Sequence, residues 1–169
     1  MKKILIAFLF IAAFHNALCQ DEESNKFQNK NSVQLDLGGH GLFYSVNYER
    51  ILINGNRFKT ASQLGMSYYP ANTGIRDLWM PLGINEIISF GKHHIEAGLG
   101  YIVIREATRD PENNPREWLW SGLMSGRIGY RYQKPGGRLI LRASFTPMME
   151  HGTAHEFHPS GGISVGYNF

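Results

Sequence analysis

Three residues near the end of the chain have the types that a hydrolytic site needs. His158 and Ser160 are separated by one residue, and Glu156 lies two positions before the histidine. A serine hydroxyl becomes a nucleophile when a general base lies beside it, and a third group can orient that base. His158, Ser160 and Glu156 are therefore candidate catalytic residues. Pro159 stands between the base and the nucleophile, so the alternative is a loop without catalytic function.

Histidines in two predicted loops form a second candidate site. His40 lies in the first loop, whereas His151, His155 and His158 lie in the last one. Imidazole nitrogens bind divalent transition metals, and Glu150 and Glu156 are close in sequence. The spacing matches no established ligand motif, however, so solvated loop histidines are the favoured interpretation. We predict no cofactor.

Several alternating segments carry charged residues on their polar face. These residues are Glu49, Lys59, Glu96, Arg127, Arg131 and Arg142. In a narrow interior such charges must be paired, because breaking a buried pair costs about 3–5 kcal/mol. Neighbouring strands would place Glu49 beside Lys59. They would also place Glu96 beside Arg127 or Arg131, and Arg127 near Arg142. We predict a salt-bridged plug, and the alternative is a gated anion path lined by the three arginines.

These side chains would be positioned by strands. Period-two alternation of apolar and polar residues occurs in eight segments, each near the 9–11 residues that a tilted membrane strand needs. The fourth segment, 78–90, loses its alternation at Asn85-Glu86, where we predict a bulge. The pattern predicts an all-β fold, an eight-stranded antiparallel up-and-down transmembrane barrel.

The connections between the segments alternate in length. Compact turns at 54–56, 91–93 and 134–137 alternate with longer links at 70–77, 106–117 and 148–157. Outer-membrane barrels have short periplasmic turns and longer external loops. This topology predicts two aromatic girdles. The periplasmic girdle is Phe58, Phe90, Tyr130, Tyr132, Tyr167 and Phe169, and the external girdle is Tyr68, Trp79, Trp118 and Trp120.

A secreted, soluble β-barrel that binds a ligand is the main alternative. Its outward polar face would carry Lys, Glu and Thr, whereas here that face is rich in glycine, including Gly65, Gly98, Gly100 and Gly129. Glycine weakens an exposed strand but gives room to large neighbours in a crowded interior. The glycines therefore favour the membrane barrel, with the polar face inside.

The start of the chain has the pattern of an export signal. Lys2 and Lys3 precede an apolar run at 4–14, and Cys19 lies at a plausible cleavage site. We predict a signal peptide at 1–19, a short periplasmic segment at 20–30 and the barrel at 31–169. A lipid anchor on Cys19 is the minority alternative, since Leu18 is large. The 17 basic and 14 acidic residues become 15 and 14 without Lys2 and Lys3, a net charge of +1. Nothing here indicates nucleic-acid binding.

The predicted barrel resembles the small eight-stranded outer-membrane barrels of Gram-negative bacteria, the OmpA and OmpX type. The resemblance rests on the alternating segments, the Gly-Tyr-Arg-Tyr end of the sixth segment and the Gly-Tyr-Asn-Phe terminus. It implies a monomer in the cell outer membrane, in contact with lipid and lipopolysaccharide, with a structural or surface-interaction role through external loops. The last strand, with Ile163, Val165, Tyr167 and Phe169, is similar to the signal read by the barrel-assembly machinery.

A second resemblance concerns the candidate catalytic residues. The spacing of His158 and Ser160 is similar to that of the outer-membrane lipid A deacylases, which are also eight-stranded. The Asn-Ala-Gly continuation associated with those enzymes is absent, and both side chains take the lumen parity, away from a lipid substrate. The favoured interpretation is therefore a protein without enzymatic activity.

Overall fold

Ten β-strands and one short 3₁₀ helix build the part of the chain that the structure describes. The computed structural model describes residues 25–69, 78–108, 117–150 and 157–169. The elements are β1 (Asn31–Gly38), the 3₁₀ helix η1 (Gly39–Gly41), β2 (Tyr44–Asn54), β3 (Phe58–Tyr68), β4 (Leu78–Phe90), β5 (His93–Thr108), β6 (Glu117–Gln133), β7 (Leu139–Phe145), β8 (Met148–Glu150), β9 (Phe157–His158) and β10 (Gly161–Asn168). None of the described residues belongs to a helix long and apolar enough to cross a membrane.

The strands close into a single antiparallel barrel. From β1 to β7 each strand pairs with the next, and β10 pairs with both β7 and β1. Strand β8 continues β7, because both strands pair with β6 in the same register. Ile128 pairs with Phe145 of β7, and Met124 pairs with Met149 of β8. The break between β7 and β8 falls at Pro147, which has no amide hydrogen to donate. In the same way β9 pairs with β8 in the register in which β10 pairs with β7. With β7 and β8 as one strand and β9 and β10 as another, the predicted eight-stranded antiparallel up-and-down barrel is confirmed.

The two ends of the barrel differ in their connections. One end, the turn end, holds the tight turns around Gly55, Gly91 and Gly136 together with Asn31 and Phe169. The other end, the loop end, holds η1 and the strand ends that flank 70–77, 109–116 and 151–156, three ranges outside the described residues. At this end β5 continues to Thr108 and β6 begins at Glu117, so both strands are longer than their alternation indicated.

Polarity is inverted relative to a water-soluble protein. Large apolar side chains cover the outer surface, and Leu99 is 80% exposed. The largest fully buried side chains include Arg127, Arg131 and Lys59. In a soluble barrel the charges would face water and the apolar residues would fill the interior. This distribution is typical of a barrel that contacts lipid on its outside.

Aromatic residues surround the barrel near both ends. The predicted turn-end girdle lies on the outer strand faces, and at the loop end Tyr68, Trp118 and Trp120 are exposed. The prediction for Trp79 is wrong, because this side chain is only 6% exposed and points into the barrel. Trp79 belongs to an internal apolar cluster rather than to a lipid-facing girdle.

The predicted bulge in β4 is also wrong. Asn85 pairs with Gly98 and Glu86 with Ala97 in continuous register, and the pairing with β3 is equally regular there. Alternation is lost because Glu86 faces outward while Ile87 is completely buried inside. The irregularity in register lies instead in β2, between Ile51 and Ile53.

Glycines leave room for large polar groups inside the barrel, as predicted. A Cβ atom on Gly98 would collide with Asn85 Oδ1 and lie 2.8 Å from the Ile84 carbonyl oxygen. On Gly65 it would collide with Asn47 Oδ1 and lie 2.8 Å from Pro81 Cγ. The glycine-rich face is therefore the crowded inner face.

Candidate functional site: the lumen of the barrel

Two arginines and two glutamates form a closed ring of ion pairs in the lumen, which we call the ion ring. Arg131 Nη1 lies 2.7 Å from Glu49 Oε1 and 2.9 Å from Glu96 Oε1. Arg142 Nη2 lies 2.6 Å from Glu49 Oε2, and Arg142 Nε lies 2.7 Å from Glu96 Oε2. The last contact is an ion pair without hydrogen-bond alignment, and Arg142 Nη2 also donates to Glu96 Oε1 at 3.2 Å. All four side chains are buried.

The strand register explains why these four residues meet. Arg131 and Arg142 are directly opposite each other on β6 and β7, and like charges in this position repel. Glu96 comes from the neighbouring strand β5, where it pairs with Gly129, and Glu49 reaches them from β2. Each arginine contacts both glutamates, so the charges of the ion ring balance within it.

A third arginine lies in a second buried cluster. Arg127 Nη1 donates to Gln63 Oε1 at 2.5 Å, and Arg127 Nη2 lies 3.4 Å from Asp36 Oδ2. Arg127 Nη2 also donates to His40 Nδ1 at 2.9 Å, and His40 Nε2 lies 3.3 Å from the Gly126 carbonyl oxygen. Since Nδ1 accepts and a carbonyl oxygen cannot donate, His40 is neutral with its proton on Nε2.

His40 makes barrel stability depend on pH. It lies in the η1 turn, outside the strands, and burial together with the charge of Arg127 lowers its pKa from 6.5 to about 3. Between these values the unfolded chain binds a proton that the folded chain excludes, so stability falls as the pH is lowered. We expect His40 to contribute a loss of about 2 kcal/mol between pH 7 and pH 5.

The comparison with His40→Gln isolates this contribution. All other residues are the same in both proteins, so the difference between the two stability curves reports His40. The measurement is urea unfolding in detergent micelles at several pH values. Parallel curves for the wild type and the variant would contradict the assignment of a neutral, buried His40.

Phe27 fills the lumen at the turn end. Its ring packs edge-on against His94 at 5.1 Å between centroids, and Lys59 Nζ lies 4.7 Å from the ring centroid. Its amide donates to Asn54 Oδ1 at 3.0 Å, and Asn54 Nδ2 donates to its carbonyl oxygen at 2.8 Å. Three further buried apolar side chains surround it, from Ile51, Ala61 and Ile87. The segment of Phe27 has no alternation, so the sequence carried no signal for this plug.

Lys59 has different partners from those predicted. Its ammonium donates to Ser89 Oγ at 2.6 Å and to the Asn56 carbonyl oxygen at 3.0 Å. The predicted pairing with Glu49 is therefore not formed, because Glu49 is held by the ion ring. Lys59 instead stabilises the turn end beside Phe27.

An apolar cluster fills the lumen at the loop end, and we call it the apolar cap. Its members are buried side chains from four strands and the end of β3, namely Tyr69, Trp79, Ile102, Ile104, Leu123 and Met148. The Tyr69 hydroxyl contacts the Gly41 carbonyl oxygen and accepts a hydrogen bond from the Phe43 amide at 3.1 Å. The apolar cap thus holds η1 in the loop end. The sequence predicted a polar lumen, and this prediction is wrong for the loop end.

The candidate catalytic and metal-binding residues are not brought together in the described part of the chain. The Ser160 hydroxyl donates to the Gly39 carbonyl oxygen at 3.2 Å, and His158 lies in β9 opposite Met148. Glu156, His151 and His155 lie outside the described residues. Among the described residues no three His, Cys, Asp or Glu side chains are grouped to hold a metal. His40 points into the lumen, so it does not join His158 in a surface patch.

Comparison with known proteins gives structural likeness only. No protein-family model and no curated protein matches the sequence. The N-terminal β-barrel domain of Pseudomonas aeruginosa OprF matches with a TM-score of 0.52 at 14% identity, covering 84% of this chain and all of that one. Ail, the attachment invasion locus protein of Yersinia pestis, crystallised with the heparin analogue sucrose octasulfate, matches with a TM-score of 0.53 at 9% identity over 84% of this chain and all of that one.

The chain has the fold of the small eight-stranded outer-membrane barrels. The predicted likeness to the OmpA and OmpX type is thereby confirmed for the fold. An outer-membrane barrel of eight strands has an interior just wide enough to be filled by side chains. Here the apolar cap, the two ionic clusters and Phe27 fill it in successive layers.

Proposed function

We propose that this protein is an integral protein of the bacterial outer membrane, closed to solutes, with a structural or surface-interaction role. The observation that carries the proposal is the inverted polarity, with apolar residues outside and a balanced ion ring inside. Such a surface is stable only where hydrocarbon replaces water around it. The sheet closes through the pairing of β10 with both β1 and β7, which favours a monomer.

The orientation follows from the connections. Short turns of outer-membrane barrels face the periplasm, so we place the turn end there and the loop end at the cell surface. Lipopolysaccharide and surface partners would then meet the three longer connections. The strand with Ile163, Val165, Tyr167 and Phe169 presents an outward row of apolar and aromatic side chains, which supports its proposed recognition by the barrel-assembly machinery. Nucleic acid is not a proposed partner.

The filled lumen favours a closed barrel over an anion path. The three lumen arginines are each paired with a carboxylate, Arg127 with Asp36 and the other two within the ion ring. An anion would have to displace a buried glutamate, and exposing an unpaired buried charge costs several kcal/mol. We therefore propose packing, rather than conduction, as the role of these residues.

Fractionation of cells that express the full chain tests the proposal. We expect recovery in the outer membrane, extraction only by detergent, and different gel migration of boiled and unboiled samples. In planar bilayers we expect no steady conductance. Recovery in the soluble periplasm or the medium would contradict membrane insertion. Altered lipid A on overexpression, abolished by Ser160→Ala, would favour a deacylase instead.

A further inference from the structure

An apolar groove crosses the outer face of the barrel over β4, β5 and β6. Its volume is about 1020 Å³, and its outer walls are the exposed side chains of Ile84, Leu99 and Ile128. The floor is formed by two small residues, Ala97 opposite Ile128 and Gly126 opposite Leu99. Because neither floor residue has a long side chain, the strand backbone is open to the surroundings along this line.

The groove opens onto the outer face, and at its base the lining also includes the buried Gln63 and Arg127. Behind it, the inner face is filled, since Asn85 Oδ1 occupies the space beside Gly98 and Ser125 Oγ lies 2.9 Å from where a Cβ on Gly100 would be. The Gly126 amide donates to the Pro147 carbonyl oxygen at 2.9 Å, and Pro147 borders the groove. Most of the residues that line the groove therefore lie on the outer face.

A carboxylate lies at the turn end of this groove. Glu86 is exposed on the outer face, opposite Ala97, and Thr60 Oγ1 donates to its Oε1 at 2.7 Å. Two girdle aromatics, Phe58 and Phe90, lie nearby on the same face, which puts the carboxylate near the level of lipid headgroups. A charged side chain on a lipid-facing surface is costly and indicates a partner.

We infer that the groove binds a phospholipid of the turn-end leaflet with a primary ammonium headgroup, phosphatidylethanolamine. An acyl chain would lie on Ala97 and Gly126, and the ammonium would contact the Glu86 carboxylate. This inference rests on the proposed membrane insertion and adds a specific ligand to it. Charge complementarity selects the headgroup: a glycerol headgroup leaves the lipid anionic and is repelled by Glu86, and a choline headgroup is cationic but has no N–H to donate.

The test is the lipid composition retained by the full chain. The protein is reconstituted into nanodiscs with equal amounts of phosphatidylethanolamine, phosphatidylcholine and phosphatidylglycerol that share the same acyl chains, and bound lipids are counted by native mass spectrometry. We expect about two- to fivefold enrichment of phosphatidylethanolamine, as an ion pair at a partly exposed site produces. Glu86→Gln should abolish this enrichment. Arg50→Gln removes an exposed charge on β2, outside the groove, and should retain it.

A second pair of variants tests the groove itself. Ala97→Leu fills the floor and should reduce retention of all three lipids, whereas Val165→Leu adds apolar volume on β10, away from the groove, and should not. Heat-dependent gel migration in the same samples reports insertion independently. If the wild type and the variants all insert but each retains the three lipids in equal amounts, the lipid site alone would be overturned. A wild-type chain that fails to insert would overturn the proposed function as well.

Discussion

Arg142→Leu is expected to destabilise the barrel by about 3–5 kcal/mol. Arg142 contacts both carboxylates of the ion ring, at 2.6 Å and 2.7 Å. Its removal leaves Glu49 and Glu96 to share Arg131, with one uncompensated negative charge in a closed interior. The measurement is the free energy of unfolding by urea in detergent micelles, followed by tryptophan fluorescence.

Two further variants make this result specific. Arg138→Leu removes an exposed arginine at the turn end that hydrogen bonds to the Tyr167 hydroxyl at 2.6 Å, and we expect a loss below about 1 kcal/mol. The double variant Arg142→Leu with Glu49→Gln restores charge balance, since Arg131 and Glu96 remain as a pair. It should recover about 0.5–3 kcal/mol relative to the sum of the single variants. Strict additivity would contradict a coupled ring.

The sequence predicted which face points inward for the strands other than β4. Alternation alone places Glu96, Arg131 and Arg142 on the polar face, and the structure puts them inside. It could not predict which residues would meet across the lumen, because that depends on strand tilt and on the reach of each side chain. Glu49 therefore contacts two arginines from the opposite wall, and Lys59, its predicted partner, bonds to Ser89.

The errors in β4 have one physical origin. Alternation predicts the inner face only where that face is uniformly polar, and in this barrel apolar side chains enter the lumen at both ends. Ile87 packs inside against Phe27, a residue from a segment that shows no pattern. Because Ile87 points inward and Glu86 outward, the alternation of polarity is interrupted although the strand itself is continuous. The sequence pattern is therefore the one that a bulge would produce.

One sequence signal for the apolar cap was present. Tyr101, Ile102, Val103 and Ile104 form a continuous apolar run at the loop end of β5. Such a run is typical of a strand with apolar surroundings on both faces. Applied to β4, the same reasoning would have favoured Trp79 as an inward residue, because it pairs directly with Ile104.

Trp79→Ala is therefore expected to cost about 3–5 kcal/mol of stability, as large-to-small substitutions in a packed core do. Trp79 packs edge-on against Tyr69 at 6.3 Å between ring centroids, within the apolar cap. The same substitution at Trp120, which is 61% exposed on the outer face, leaves no internal cavity. We expect a clearly smaller loss there, and urea unfolding of the two variants under identical conditions makes the comparison.

Quenching by brominated lipid separates the two environments directly. A variant that retains only Trp79, with phenylalanine at Trp118 and Trp120, should be quenched weakly, because the barrel wall separates the indole from the lipid. A variant that retains only Trp120 should be quenched strongly. Equal quenching, together with equal losses of stability for the two alanine variants, would place Trp79 in the girdle that the sequence first predicted. The apolar cap would then lose its largest side chain, and the lumen would not be closed at the loop end.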